Sequence, residues 1–323
     1  MPNKIFLLGN GFDLAHGLKT SYYDFVQYYK KKIFDTLNQE NYYGVEDTFE
    51  IQYTDHIQES YENLFSGNYG SSTRFNTYNS RFIMDLISGP YKLWSDIEFY
   101  YFQLLKKYAN TPKVNTLNRQ FELVKEELID YLKTVEKEKI RIRPEIKSRL
   151  NDADLILNFN YTSTINSYLK NFEKKPDVIF IHGELDIPAK PIIFGYGDEH
   201  DEDYQKLENL ADIEVLRNLK YPQYTKSRSF SNLIKYTDEK SIDTLAPYEI
   251  HLIGLSCGLS DRTLLRLLLN SDACEKIFIH YYEGKNRFEE VSINLTRHFT
   301  NKIAHPKKVV SFTDIEEEYG SLT

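Results

Sequence analysis

The sequence of 323 residues is short of cysteine and tryptophan and has no long apolar run. It contains only 2 Cys and 1 Trp. Two cysteines supply no disulfide framework, which favours a reducing compartment. The apolar runs are too short to span a bilayer, and the N-terminal run is too short for a secretory signal. We therefore expect a cytoplasmic protein without a membrane partner.

Positive charge is also in short supply. The chain has 40 Lys and Arg against 48 Asp and Glu, a formal net charge of -8 and a pI near 5.6. Broad binding to nucleic acid needs a basic surface, so this balance argues against it. The hydrophobic fraction of 41% and the charged fraction of 27% are typical of a globular chain. Its length is enough for one large core and a second lobe.

The stretch KIFLLGNGFD at residues 4–13 predicts the first strand and a loop that follows it. Its apolar run is typical of a strand buried on both faces of a parallel sheet. Gly9 and Gly11 allow a sharp turn and close approach of a ligand, and Asp13 can cap the next helical turn. This geometry presents backbone N–H groups to a phosphate. A tight turn without a ligand gives the same pattern, because a lone G-x-G is a weak signal.

The remainder of a dinucleotide-binding fingerprint is missing. Leu14 occupies the place of the third glycine, and a helical pattern at residues 22–29 replaces the second strand. We therefore expect a nucleotide-binding fold with a helical domain inserted after the first strand, and not an ordinary Rossmann dehydrogenase.

From residue 154 onwards, short apolar runs alternate with helical patterns, which predicts an α/β fold with a parallel sheet. We expect this domain to comprise residues 1–18 and 151–323, with a helical insertion at residues 19–150. The predicted strands after the insertion are residues 155–159, 178–181, 192–194, 249–253, 276–280 and 309–312.

The residues that follow the predicted strands form one candidate site, because parallel sheets bind ligands outside the carboxyl ends of their strands. Asn160 can orient a hydroxyl or a water, since its amide both donates and accepts. Histidine is the usual general base near neutral pH, and His182 can take that role. Taken singly, each is more often structural, but together the strand ends favour a site. The other candidate binding residues are Gly9, Asn10, Gly11, Asp13, Thr162, Gly183, Gly195, Gly254, Ser256 and Asp261.

Four motifs carry a resemblance to a known family. In chain order they are G-N-G-F-D, N-F-N-Y-T, I-H-G-E-L and G-L-S-x-G-x-x-D, and they resemble the AbiH family of bacterial phage abortive-infection proteins. W-S-D-I-E at residues 94–98 looks like a further AbiH element. The same order is similar to the sirtuin-like NAD-binding fold, and the resemblance extends from residue 4 to about residue 269.

The resemblance implies an anti-phage effector with a sirtuin-like sheet that binds NAD and hydrolyses its nicotinamide–ribose bond. In sirtuin-like NAD-cleaving defence proteins an Asn and a His form the catalytic pair, and these roles fall on Asn160 and His182. Such an effector implies a phage-protein trigger. The aromatic insertion also suits an interface with another copy of the chain.

The sequence also departs from the sirtuin pattern. Sirtuin deacylases hold zinc with four cysteines, and Cys257 and Cys274 are too few for that site, so we expect neither deacylation nor a metal. Asn10 and Phe12-Asp13 replace the usual Ala and Ser of the glycine loop, and Thr162 replaces an Asp. The resemblance therefore implies an altered NAD pocket.

Two other functions also fit the sequence. One is a non-enzymatic nucleotide-binding sensor that controls a partner. The other is a serine hydrolase, since G-L-S-C-G at residues 254–258 matches the nucleophile elbow and would make Ser256 the nucleophile. However, Asp261 resembles the N-cap of the next helix, which leaves Ser256 in a loop and favours phosphate or ribose binding. The acidic stretch at residues 198–203 can bind a cation, but is more simply a solvated loop.

Overall fold

A computed structural model of the protein describes residues 2–37, 45–46, 49–53, 73–76, 81–170, 172, 174–238, 246–282 and 284–322. The chain divides into two compact units. The first comprises Met1–Lys19, Leu132–Lys206 and Arg217–Thr323, and the second comprises Thr20–Tyr131 and Leu207–Leu216. Within the ranges given above, no helix has the length and apolar character needed to cross a membrane.

The strands are β1 Asn3–Leu8, β2 Val45–Glu46, β3 Phe49–Tyr53, β4 Thr73–Asn76, β5 Leu155–Asn158, β6 Asp177–Phe180, β7 Tyr248–Ile253 and β8 Cys274–His280. The helices are α1 Asn10–Ala15, α2 Tyr22–Leu37, α3 Arg81–Ser88, α4 Trp94–Tyr108, α5 Lys113–Val135, α6 Pro144–Leu150, α7 Asn166–Leu169, α8 Glu202–Glu208, α9 Ile213–Leu216, α10 Lys220–Tyr224, α11 Arg228–Asp238, α12 Arg262–Leu269, α13 Lys285–Thr296, α14 Ala304–Lys308 and α15 Phe312–Glu318. A 3-10 turn, Leu259–Asp261, precedes α12.

The first unit is built on a five-stranded parallel sheet of order β6-β5-β1-β7-β8. The chain adds β5 and β6 on one side of β1 and then returns to add β7 and β8 on the other. The strand order therefore reverses between β1 and β7. Open α/β sheets bind ligands in the crevice at such a switch point. The predicted parallel α/β fold is confirmed.

Both faces of this sheet are covered, which explains why its strands are continuous apolar runs. Alternate residues such as Leu7 and Leu252 pack on the face that carries α11, α12 and α13. Phe6 and Ile253 pack on the opposite face with α6 and α7. Each buried side chain of this size contributes roughly 1.5–3 kcal/mol.

Two of the predicted strands are wrong. Residues 192–194 lie in extended chain outside any strand, and the nearest ladder contact is an isolated bridge between Tyr196 and Leu219. Of residues 309–312, only Val309 pairs with the sheet, through a bridge to Ile277. Ser311 then caps α15 by accepting from Asp314 N at 3.2 Å, which turns the chain away from the sheet edge.

The second unit contains the helical segment expected after β1. Ser21 Oγ accepts from Asp24 N at 3.1 Å and so caps the start of α2. Trp94 donates from Nε1 to Thr20 O at 3.1 Å and packs against the ring of Phe25. A small antiparallel sheet of order β2-β3-β4 also belongs to this unit, and the sequence pattern did not predict it.

Candidate functional site

The strands on either side of the switch point, β1 and β7, end in loops whose backbones touch. Gly11 N donates to Gly254 O at 2.9 Å. A Cβ on Gly9 would lie 2.5 Å from Leu255 Cα, and one on Gly11 would lie 2.7 Å from Gly254 Cα. Gly254 has a φ of 66°, and a Cβ there would lie 2.3 Å from Phe12 N. Glycine is required on both loops because any side chain would separate them.

Asn160 ties the end of β5 to the same glycine loop. Its Nδ2 donates to Gly9 O at 3.1 Å, and its backbone N–H donates to Asn158 Oδ1 at 3.2 Å. Asn158 also donates to Thr162 O at 3.1 Å, so side-chain amides hold the whole turn. The side chain of Asn160 accepts no hydrogen bond at Oδ1 within the described chain. This oxygen can therefore accept from a hydroxyl or a water.

Asp13 is a buried carboxyl group on the other side of this turn. Thr162 Oγ1 donates to its Oδ2, while Oδ1 has no hydrogen-bond partner among the described residues. Asp13 is 1% exposed. Burial raises its pKa to about 6, and hydrogen bonds from Thr162 and Thr164 oppose that rise. Asp13 is therefore a group that can exchange a proton near neutral pH, a property often found at functional sites.

His182 follows β6, and both of its ring nitrogens contact protein groups. Nδ1 lies 3.1 Å from Phe159 O. Nε2 lies 3.0 Å from the hydroxyl of Tyr224 and 3.2 Å from Asp261 Oδ1. A carbonyl oxygen only accepts, so Nδ1 carries the hydrogen and Nε2 is the nitrogen that can take a proton. In this arrangement neither nitrogen is free to contact a substrate.

Asp261 is shared between His182 and Lys220. The Lys220 ammonium lies 2.8 Å from the same Oδ1, and Lys220 is 1% exposed. Burial alone would raise the pKa of Asp261, but the Lys220 ammonium beside its Oδ1 holds that pKa well below its usual range. The buried carboxylate is thus ionised and paired, which offsets the cost of removing it from water.

Lys220 and Tyr224 are the functional residues that the sequence analysis missed. Both lie on α10, far along the chain from His182, and nothing in the local pattern distinguishes them from surface residues. The segment before α10 is held by close backbone contacts. Lys220 N donates to Tyr196 O at 2.9 Å, and a Cβ on Gly195 would lie 2.0 Å from Asn218 O. Only the folded chain brings these contacts together.

The other predicted binding residues have varied surroundings. Gly183 has a φ of 88°, and a Cβ there would lie 2.2 Å from Pro191 O, so it allows a tight turn after β6.

Asn10 begins α1 and is half-buried. The neighbouring Gly11 N and Phe12 N donate within the protein, whereas the N–H of Asn10 forms no hydrogen bond in the described chain. Asn10 therefore offers a backbone donor to a ligand.

Ser256 does not have the geometry of a nucleophile elbow. The positive φ values of this loop, 66° and 54°, belong to Gly254 and Cys257 and not to Ser256, and α12 begins only at Arg262. The carbonyl of Ser256 accepts from Asn294 Nδ2 at 2.9 Å. Its hydroxyl forms no hydrogen bond with a histidine anywhere in the described part of the chain. The nucleophile–base contact of a serine hydrolase is therefore not formed here.

The acidic stretch at residues 198–203 pairs with protein groups. Asp198 Oδ2 lies 2.8 Å from Arg262 Nη1, and Asp201 Oδ1 accepts from Asp203 N at 2.9 Å at the start of α8. Over the ranges that the structure describes, no three His, Cys, Asp or Glu side chains are grouped to hold a metal ion. These carboxylates stabilise the loop locally.

Comparison with known proteins gives a match over most of the chain. A family model described as "Bacteriophage abortive infection AbiH" matches residues 5–283. The match includes the glycine loop, Asn160, His182 and Asp261. A search of curated proteins found no match to this chain.

Replacing Gly254 by alanine should disrupt the contact between the two loops. The new Cβ would lie 2.3 Å from Phe12 N, whereas a Cβ on Gly284, whose φ of 82° is also positive, meets no atom within 4 Å. Gly254→Ala should therefore cost about 1–3 kcal/mol more than the matched control Gly284→Ala. Urea unfolding followed by circular dichroism measures both, and equal losses would contradict the packing role. If Gly254→Ala does not fold, soluble yield against the control decides the question.

The burial of Asp13 predicts a specific pH dependence of stability. Its pKa of about 6 in the folded protein exceeds the ordinary 3.8, so protonation favours the folded state. This contribution is complete below about pH 4 and is lost as the pH rises through about 6. Asp13→Asn removes the titration. From pH 4 to 7, wild type should lose about 3 kcal/mol of unfolding free energy relative to this variant.

Urea unfolding at half-unit pH steps measures this difference. The exposed Asp272→Asn variant controls for the loss of one carboxylate. If the difference in unfolding free energy between wild type and Asp13→Asn stays constant with pH, burial does not raise the pKa of Asp13 in the folded protein.

Proposed function

The chain belongs to the AbiH family of bacteriophage abortive infection proteins, and from this premise we propose that it binds NAD at the switch point and hydrolyses the nicotinamide–ribose bond. The observation that carries the proposal is the meeting of three strand ends, where Asn160 holds Gly9 and offers an unbonded Oδ1. Doubly wound sheets bind nucleotides at this place. The sirtuin-like motifs in the sequence favour NAD among nucleotides.

Different groups of the loop after β1 and of the turn after β5 would bind different parts of NAD. The N–H of Asn10 offers a donor to a phosphate oxygen, while the glycines keep side chains away from the loop. Asn160 Oδ1 orients a ribose hydroxyl or the attacking water. Asp13 and Thr162, bonded to each other below this turn, support the position of Asn160.

The proposed reaction is a displacement at the ribose carbon that carries nicotinamide. Water forms the new C–O bond as the C–N bond breaks, and the bonding electron pair leaves with neutral nicotinamide. The proton released by the water passes to Nε2 of His182. The doubly protonated ring can then donate to Phe159 O and to Asp261 Oδ1, the two acceptors that already lie beside it.

His182 can take this proton only after Nε2 has left the hydroxyl of Tyr224. The arrangement described here is therefore a resting form in this proposal. A resting form suits an abortive-infection protein, because an NAD hydrolase that is always active would poison its own cell. We propose a phage protein as the trigger that releases His182, and assembly with further copies of the chain as a route to the active form.

A second candidate function is a nucleotide sensor without catalysis. It is favoured because both ring nitrogens of His182 already contact protein groups. A sensor would bind NAD and leave it intact. Incubation of the purified protein with NAD separates the two functions. Release of nicotinamide supports the hydrolase, whereas calorimetric binding without nicotinamide supports the sensor.

Alanine at either Asn160 or His182 should lower nicotinamide release by at least about 100-fold, the scale of a positioned acid–base or orienting group. Both side chains lie at strand ends, so the fold should persist, and circular dichroism checks this. Asn151→Ala, a change of the same type at an exposed helix end, should leave the rate unchanged. Wild-type rates in both folded variants would remove the two residues from the mechanism.

Tyr224→Phe should raise the basal rate of nicotinamide release. The change removes only the hydroxyl that occupies Nε2 of His182 at 3.0 Å, and loss of one hydrogen bond of about 1 kcal/mol corresponds to about fivefold. The control is Tyr221→Phe, at an exposed position on the same helix. A lower rate in Tyr224→Phe would show that the hydroxyl assists the reaction instead of restraining His182.

A further inference from the structure

Four buried polar atoms without a hydrogen-bond partner among the described residues lie around the end of β8, the strand next to β7. They are Arg149 Nη1, His280 Nδ1, Tyr282 Oη and Ser321 Oγ. Buried polar atoms are almost always hydrogen-bonded in proteins. Several unpaired atoms in one place therefore mark a site where a polar species is held. We call this group of side chains the β8 chamber.

Two members of the β8 chamber lie against the ring of Tyr319. Arg149 Nη2 donates to Gly320 O at 3.1 Å, and its Cζ lies 5.9 Å from the centre of the Tyr319 ring. The ring of His280 meets the Tyr319 ring edge-on, with a centroid distance of 5.0 Å. Arg149 and His280 therefore approach one another from α6 and from β8.

The other two members are brought together by a backbone contact. Leu322 N donates to Tyr281 O at 3.0 Å, which fixes the segment after α15 beside the end of β8. Ser321 precedes Leu322 and Tyr282 follows Tyr281, so this contact brings their backbones together, and Tyr282 interacts electrostatically with Arg149. The chamber thus combines one guanidinium with two hydroxyls and one imidazole.

Arg149 gives the chamber a positive charge that no described carboxylate neutralises. It is 8% exposed and forms no ion pair with any residue in the described ranges. Glu145, one turn earlier on α6, instead accepts from Arg143 Nε at 2.6 Å. Burial lowers the pKa of Arg149, with smaller opposing effects from Tyr282 and Glu145. A buried guanidinium is costly unless an anion accompanies it.

The imidazole of His280 is held by a second buried histidine. His251 Nδ1 lies 3.0 Å from His280 Nε2, and the His251 ring stacks on Phe6 at 4.5 Å. Burial lowers the pKa of His251 to about 3 and that of His280 well below its ordinary value, so both rings are neutral. When His251 donates, Nδ1 of His280 carries the hydrogen and becomes a donor to the chamber. Glu249 lies 3.8 Å from His251 Nε2, beyond hydrogen-bond distance, so it does not fix the tautomer of the histidine pair.

We propose that the β8 chamber binds a small oxyanion, for which inorganic phosphate is the probe. Arg149 supplies the charge and a donor, and His280, Tyr282 and Ser321 supply neutral donors. A small cavity is lined by His280 and Tyr282 of the chamber and also by Gly254 and Leu255 of the loop after β7. An ordered water would satisfy hydrogen bonds there but would bring no negative charge to Arg149. This site does not depend on the proposed NAD chemistry.

The test is calorimetric titration of the full chain with inorganic phosphate, with sodium chloride holding the ionic strength constant. Wild type should bind phosphate, and Arg149→Met should bind it at least about tenfold more weakly, because it lacks the charge-assisted hydrogen bond. Lys147→Met removes the same charge from α6 outside the chamber and should keep the wild-type affinity within about twofold. Asn160→Ala should also keep it, which separates this site from the switch point.

Two milder variants keep the test decisive if Arg149→Met does not fold. Tyr282→Phe and Ser321→Ala each remove one hydroxyl and leave the charge, and each should weaken phosphate binding by about threefold or more. Absence of phosphate binding by wild type would assign the chamber to water. Unchanged affinity in the chamber variants, or loss of affinity in Asn160→Ala alone, would equally overturn the proposal.

Discussion

The backbone contact between the loops after β1 and β7 is the constraint on which the site depends. These strands are neighbours in the sheet, and their loops can touch only where no side chain stands between them. Gly9, Gly11 and Gly254 meet this requirement, and the Gly11–Gly254 hydrogen bond fixes the distance. Asn160 then joins a third strand end to the same loop through Gly9 O. The position of every group at the switch point follows from this arrangement.

Two polar clusters in the first unit have opposite effects on the ionisation of the aspartate that each contains. Asp261 remains ionised because the Lys220 ammonium lies 2.8 Å from its Oδ1, which compensates for burial. Asp13 has only hydroxyl donors, so burial raises its pKa to about 6 and the carboxyl can accept a proton near neutral pH. The Asp261 carboxylate is therefore fixed in a single charge state, whereas the Asp13 carboxyl can change its charge with small changes in its surroundings.

The short helix α10 links geometry to activity in the proposed mechanism. It carries Lys220, which holds Asp261, and Tyr224, which occupies His182 Nε2. A displacement of this one helix would change both contacts of the His182–Asp261 pair together. Since Nδ1 of the same ring contacts Phe159 O, next to Asn160, such a displacement would also reach the switch point. Control of the reaction is therefore possible without any change in the sheet.

Local sequence patterns predicted much of the fold. The apolar runs of the five sheet strands and the glycine loop are properties of a few neighbouring residues, so they can be recognised without knowledge of the residues they contact. The rule that ligands bind at the carboxyl ends of parallel strands also selected Asn160, His182 and Asp261. Residues 192–194 and 309–312 were misread because a short apolar run does not reveal whether a neighbouring strand is available to pair with it.

The sequence by itself determined the family, the parallel α/β sheet and the strand-end residues, because these depend on local backbone preference and strand period. Only the tertiary structure decided what each of those residues touches. It alone brought Tyr224 to His182 and Lys220 to Asp261, and it left Arg149 without an ion pair among the described residues. It also showed that the space a side chain would need at Gly9, Gly11 and Gly254 is filled by the backbone of the facing loop. Contacts between distant segments depend on how whole elements pack, and no pattern within one segment encodes them.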